Sequence, residues 1–106
     1  MKKIEYENWN GQLVKGWKVH ECFAVTKVGK YWQVDHLPSK MKLGSPKVTT
    51  RKEMVSRFNN MIKAVEGTYP DFDWNHGSYN ELVKNNKDDI TDVFRLARKY
   101  IYDDMV

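Results

Sequence analysis

The chain has 106 residues, of which 41% are hydrophobic, 13% aromatic and 30% charged, and its formal net charge is +4. This length predicts one domain over residues 1–106, and the aromatic content excludes a disordered chain. The single cysteine, Cys22, excludes a disulfide within the chain, and no apolar run approaches the roughly 20 residues of a membrane-spanning helix. Because the basic start is followed by Ile4-Glu5-Tyr6-Glu7 instead of an apolar segment, we expect no signal peptide and a cytoplasmic location.

The first 43 residues predict a small antiparallel sheet. Asn10-Gly11 and Val28-Gly29 mark tight turns, since glycine accepts the positive φ that such turns need. Gly16 either separates two strands or kinks one long strand. The expected arrangement is a meander, with strands near residues 3–7, 12–15, 17–27 and 31–37 and a short further strand at 41–43.

The hairpin around Gly29 has one apolar face and one more polar face. Side chains alternate between the faces of a strand, so residues two apart share a face. With Val28-Gly29 at the tip, the predicted partners on the apolar face are Val25 with Trp32, Phe23 with Val34, and Glu21 with His36. We expect helices from the second half of the chain to cover this face.

A helix is predicted over residues 50–66. Thr50 and Glu53 have the spacing of a capping box, and Gly67 stands where a left-handed residue commonly ends a helix. The apolar residues recur on one helical stripe, which predicts that this side packs on the sheet. The stripe consists of Met54, Val55, Phe58, Met61, Ile62 and Val65.

The rest of the chain predicts a loop at 68–78 and two further helices, near 80–86 and 88–104. Asp88 or Asp89 is expected to cap the last helix. Together with a sheet over about 3–43, these elements predict an α+β protein, with a small antiparallel sheet packed against two or three C-terminal helices.

No motif predicts an enzyme or a cofactor. Cys22 and His20 point to one face of the hairpin, whereas Glu21 and His36 point to the other, which separates the candidate metal ligands. No phosphate-binding glycine motif occurs, and Cys22 lacks the features of an activated nucleophile. We therefore expect a binding protein that holds no metal or cofactor.

Basic residues concentrate between positions 27 and 57, where eight lysines and arginines stand against two acids. Such a surface favours nucleic acid, because cationic side chains neutralise phosphates. Tyr31 on the open face of the sheet offers a ring on which a base can stack. The candidate nucleic-acid-binding residues are Lys40, Lys42, Lys47, Arg51, Lys52 and Arg57.

A second candidate surface is the loop that contains Pro70, where three aromatic residues alternate with carboxylates. Aromatic anchors ringed by polar groups are typical of protein interfaces. The alternative is that Phe72 and Trp74 fold inward and complete the core. The candidate partner-binding residues are Tyr69, Asp71, Phe72, Asp73 and Trp74.

The run from Tyr31 to Ser39, together with Thr50-Arg51-Lys52-Glu53, resembles small accessory proteins carried by phages and prophages of Gram-positive bacteria. The shared pattern is W-x-V-x-H-x-P-S before a capped helix. The resemblance implies a protein that binds and disables a host factor in the host cytoplasm, as anti-CRISPR inhibitors of RNA-guided nucleases do. We therefore expect stoichiometric occlusion of a host defence or nucleic-acid-processing protein, with nucleic-acid binding as the alternative.

Overall fold

The computed structural model describes residues 1–102. These residues form an antiparallel sheet followed by α-helices, which confirms the predicted α+β class, and the order of strands in the sheet is their order in the chain. The strands are β1 (Lys2–Glu7), β2 (Leu13–His20), β3 (Phe23–Val28), β4 (Tyr31–His36) and β5 (Lys42–Gly44), and the helices are α1 (Arg51–Thr68), α2 (Tyr79–Asn85) and α3 (Ile90–Ile101).

The predicted long strand over residues 17–27 is wrong, because the chain reverses at Glu21-Cys22. Gly16 lies inside a continuous β2 instead of separating two strands. A Cβ atom there would lie 2.6 Å from the carbonyl oxygen of Val25 and 3.0 Å from the ring of Tyr6. Glycine at this position therefore permits a close approach of neighbouring groups.

The hairpin between β3 and β4 forms around Gly29, but its register differs from the predicted one by two residues. Gly29 occupies the first central position of the turn with φ of +63°, as a type II′ turn requires. A shift of two residues leaves every side chain on the same face of its strand, so the apolar face is as predicted. The pairing of Glu21 with His36 is wrong. The observed partners on this face are Phe23 with His36, Val25 with Val34, and Lys27 with Trp32.

The first hairpin ends in a loop over residues 8–12 that is held by a buried asparagine. Asn8 Oδ1 accepts hydrogen bonds from the backbone N–H groups of Asn10 and Gln12, both at 3.0 Å. Gly11 has φ of +75°, which L-residues with side chains rarely adopt. This local bonding fixes the loop and leaves Trp9 55% exposed at the tip of the hairpin.

The Thr50 half of the predicted capping box is present at the start of α1, with Thr50 Oγ1 accepting a hydrogen bond from the N–H of Glu53 at 3.2 Å. The Glu53 carboxylate binds Arg57 Nη2 at 3.0 Å, one turn further on. The predicted end at Gly67 is wrong, because the helix continues to Thr68. The predicted stripe faces the core, and its fully buried members are Met54, Phe58, Met61 and Val65.

The two following helices lie close to their predicted positions. Ser78 Oγ caps α2 by accepting from Glu81 N–H at 3.2 Å. Asp89 occupies the N-cap position of α3, but its side chain makes no capping hydrogen bond, so that part of the prediction is wrong. The predicted helix end at 104 falls outside the described residues, and within them α3 ends at Ile101.

The core lies between the helices and one face of the sheet. Within residues 1–102, no helix has both the length and the apolar character needed to cross a membrane. The buried apolar residues of this core come from the sheet, the loops and all the described helices. They are Cys22, Phe23, Val25, Val34, Val48, Met54, Phe58, Met61, Val65, Trp74, Leu82, Ile90, Val93, Ala97 and Ile101.

The opposite face of the sheet carries a buried polar network. Tyr6 on β1 donates a hydrogen bond from its hydroxyl to Asp35 Oδ2 on β4, at 2.7 Å. Gln33 Nε2 donates to Asp35 Oδ1 at 2.8 Å. Burial raises the pKa of Asp35, although both hydrogen bonds oppose that rise, and burial and the Asp35 contact raise the pKa of Tyr6. This network fastens β1 across the sheet to β4.

Candidate functional site

The aromatic residues of the loop over residues 69–76 face inward. Trp74 is 6% exposed, and its ring centroid lies 4.9 Å from that of Phe23 and 4.6 Å from that of Phe72. Phe72 is half-buried against the core. Phe72 and Trp74 therefore fold inward and complete the core, which was the alternative expectation. Neither ring is an exposed anchor.

The polar groups of the same loop differ in their exposure and in their hydrogen-bond partners. The Tyr69 hydroxyl donates a hydrogen bond to Asp92 on α3, which raises the pKa of Tyr69 and lowers that of Asp92. Asp73 is exposed but lies 3.1 Å from His76 Nε2 and accepts the N–H of Asn75. Asp71 is exposed. The loop therefore presents carboxylates to solvent more than aromatic rings.

An acidic cavity of about 560 Å³ lies between the β2–β3 turn, the end of α1 and the loop over residues 69–76. Glu21, Glu66 and Asp73 line it, one from each element. Cys22 also lines it, but burial raises the pKa of the thiol and keeps it protonated. Within residues 1–102, no three His, Cys, Asp or Glu side chains are arranged to hold a metal ion.

The predicted basic residues do not form one surface. Lys40, which has φ of +64°, binds Glu7 Oε1 at 3.1 Å, and Lys42 lies over the ring of Trp9 at 5.3 Å. Both therefore lie beside the tip of the first hairpin. Arg57 donates to the carbonyl oxygen of Ile101 at 3.0 Å and so connects α1 to the end of α3. Lys47 is exposed before α1.

Arg51 and Lys52 instead lie beside two tryptophans. The Arg51 guanidinium lies 4.0 Å from the ring centroid of Trp17, and Lys3 Nζ lies 5.8 Å from the same ring. Arg51 and Lys52 also line an open cavity of about 520 Å³ with Trp32. We define the Trp17–Trp32 surface as Lys3, Trp17, Lys27, Trp32, Arg51 and Lys52.

Sequence reasoning missed the tryptophans of this surface because it assigned Trp32 to the core. In the structure, Trp17, Lys27 and Trp32 lie on the helix-facing side of the sheet. However, Trp17 and Trp32 are only partly buried, since the start of α1 covers that corner incompletely. The contact of Arg51 with Trp17 joins positions 34 residues apart, and no local pattern predicts it.

Most of the charges near the ends of α1 oppose its macrodipole. Arg51 and Lys52 begin the helix, where a negative charge is favoured, and only Glu53 in the first turn complements the dipole; Glu66 lies near the end, and the last turn contains no basic residue. Each such placement costs about 0.3–1 kcal/mol. The helix spans about 27 Å, so it holds the basic and acidic ends of the protein apart.

The fold and its two surfaces define a small α+β protein with a basic aromatic corner at one end of α1 and an acidic cavity at the other. No protein-family profile, curated protein or solved structure matches the chain. Function is therefore inferred from the residues of these two surfaces.

Proposed function

We propose that the protein is a non-enzymatic binding protein that contacts nucleic acid through the Trp17–Trp32 surface. The observation that supports this function is the alternation of cations and indole rings around Arg51. Arg51 contacts Trp17 and lines the same cavity as Trp32, so one cation joins both rings. Lysine and arginine neutralise phosphates, while aromatic rings stack on bases.

The cationic side chains of this surface outnumber the acidic ones. Lys15 lies two residues from Trp17 on the same face of β2, and Lys27 is the cross-strand partner of Trp32. Glu5 and Glu7 on β1 are acids on this face; Glu5 is the cross-strand partner of Lys15, and Glu7 binds Lys40. With Arg51 and Lys52 added from α1, the net field attracts a polyanion.

A salt titration tests this function. Binding of a fluorescein-labelled oligonucleotide is followed by anisotropy as the salt concentration rises from about 50 to 200 mM. Replacing Arg51 and Lys52 by Gln removes two phosphate contacts, so we expect weaker binding and a salt slope smaller by about 2. The control replaces Lys63 and Lys84, both exposed and away from this surface, by Gln. An equal loss of oligonucleotide affinity in the two variants, or no binding by the wild type, would contradict the proposal.

The acidic cavity favours a second candidate function, stoichiometric inhibition of a host nucleic-acid-processing protein. Its carboxylates come from three separate elements, and Asp71 stands exposed on the adjoining loop. Such a surface complements the basic groove of a nuclease and steers its approach. The resemblance to phage accessory proteins agrees with an anti-CRISPR type of target. Either function belongs in the cytoplasm of the host cell.

This second function predicts that one molecule of the protein inhibits one molecule of an RNA-guided nuclease in a cleavage assay. Replacing Glu66 and Asp71 by Lys reverses two exposed charges without touching the core, so we expect inhibition to be lost. The matched control replaces Asp88 and Glu81, which are also exposed, by Lys. Full inhibition by the first variant would exclude the acidic surface as the contact.

A further inference from the structure

The two tryptophans of the Trp17–Trp32 surface differ in their surroundings. The Arg51 guanidinium covers Trp17 at 4.0 Å, and Lys3 lies over the same ring at 5.8 Å. Trp32 instead lines the open cavity, with Arg51, Lys52, Met1 and Val55 around it. Of the two rings, Trp32 is therefore the one that a planar ligand can reach.

The position of Trp32 is fixed by the backbone. Its N–H donates to the carbonyl oxygen of Val48 at 2.8 Å, and Val48 is fully buried. The residue also belongs to the β3–β4 hairpin, opposite Lys27. A backbone held in this way keeps Trp32 at the cavity and loses little conformational entropy when a ligand stacks on the ring.

The cavity has an aromatic wall and a cationic rim. Arg51 and Lys52 line it from α1, and Lys27 stands across the strand from Trp32. This arrangement matches one nucleotide of a strand, whose flat base is joined through its sugar to an anionic phosphate on each side. Bases in a duplex are stacked and paired, so their faces are covered, whereas the bases of a single strand can turn outward and stack on a ring.

We infer that the Trp17–Trp32 surface binds single-stranded nucleic acid, with one base stacked on Trp32 and its phosphates beside Arg51 and Lys52. This inference rests on the proposed nucleic-acid-binding function and adds the class of ligand. The ring and the cations recognise features common to all nucleotides, so binding has little sequence preference. A duplex makes only the phosphate contacts and binds more weakly.

The test compares a single-stranded oligonucleotide with a hairpin duplex of equal length, by anisotropy at one salt concentration. Stacking on an aromatic side chain contributes about 1–3 kcal/mol per base, so Trp32→Ala should weaken single-strand binding about 5- to 150-fold. Duplex affinity and the salt slope should hardly change. Trp9→Ala is the matched control, because Trp9 is exposed at the tip of the first hairpin, away from this surface.

Photo-crosslinking of the wild-type protein tests the same inference without a variant that might unfold. A single strand containing 5-iodouracil crosslinks to aromatic rings in stacking contact, and mass spectrometry then identifies the residue. Crosslinking to Trp32 is expected, and Trp32→Phe should retain part of the affinity. Equal affinity for both oligonucleotides, with crosslinking at Trp9 or at no tryptophan, would overturn the inference of single-strand binding. It would leave the proposed nucleic-acid-binding function standing. Absence of binding to either oligonucleotide would overturn the proposed function as well.

Discussion

His36 Nε2 lies 2.6 Å from the carbonyl oxygen of Trp74, and this hydrogen bond fixes the state of the imidazole. A carbonyl oxygen only accepts, so Nε2 carries the hydrogen. Nδ1 then accepts from the Ser39 hydroxyl, 2.6 Å away. Both rings are buried, and the bond connects the end of β4 to the loop over residues 69–76.

A first prediction concerns pH. Burial lowers the pKa of His36 below its ordinary value of 6.5, so the folded state holds the neutral ring. As the pH falls through 6.5, the unfolded chain binds a proton that the folded protein excludes, and the free energy of unfolding decreases. Urea unfolding between neutral and mildly acidic pH measures this decrease. The variant His36→Gln should lack that component, and a pH dependence identical to that of the wild type would contradict the prediction.

The burial of Trp74 predicts a large loss of stability on truncation. Trp74 packs against Phe23, Phe72 and His36, so Trp74→Ala should lower the free energy of unfolding by about 3–5 kcal/mol. Asp71→Ala, an exposed change in the same loop, should stay within about 0.5 kcal/mol of the wild type. Thermal unfolding followed by circular dichroism distinguishes the two. A melting point for Trp74→Ala close to that of Asp71→Ala would remove this loop from the core.

Two glycines should respond oppositely to alanine. At Gly16, the new Cβ would lie 2.6 Å from a backbone oxygen, so β2 and β3 must move apart and stability must fall. At Gly67, inside α1, no atom lies within 4 Å of the added Cβ. Gly67→Ala should therefore stabilise the protein by about 0.5–1 kcal/mol. Melting points that shift in the same direction would refute this contrast.

The network on the polar face of the sheet predicts the cost of removing one hydroxyl. Tyr6→Phe leaves a buried oxygen of Asp35 without its 2.7 Å donor, at a cost of about 1–3 kcal/mol. Tyr79 is 50% exposed, so Tyr79→Phe is a control that should change little. Chemical denaturation of both variants gives the comparison. Similar stabilities would mean that water replaces the lost donor at Asp35.

The sequence predicted those parts of the fold that local chemistry determines. Thr50 caps α1, and the stripe through Phe58 is buried, because capping and helical periodicity involve residues a few positions apart. The faces of the β3–β4 hairpin were also correct, since alternation alone assigns them. The predicted register of this hairpin was wrong. The turn residues are Gly29-Lys30 instead of Val28-Gly29, and this difference shifts every cross-strand partner by two residues.

The candidate sites were harder to predict, because they depend on contacts between distant segments. His36 was expected to pair with Glu21 at the end of the apolar face, but the loop over residues 69–76 buries it through a contact between positions 38 apart. Arg51 and Lys52 were identified by charge, whereas their location beside Trp17 and Trp32 follows from how α1 crosses the sheet. Charge is visible in a sequence, but the neighbours of a charge are not.

The meander order of the strands has a consequence for how the chain assembles during synthesis. Each strand pairs with the next one in the chain, so the hairpins close short loops and form early. Helix α1 follows the last strand, and Phe23, Val25 and Val34 have no cover until it emerges from the ribosome. The contact of His36 with Trp74 can form only after the loop over residues 69–76 has also emerged. We therefore expect the nascent protein to need a chaperone most while its sheet is complete and its first helix is still being made.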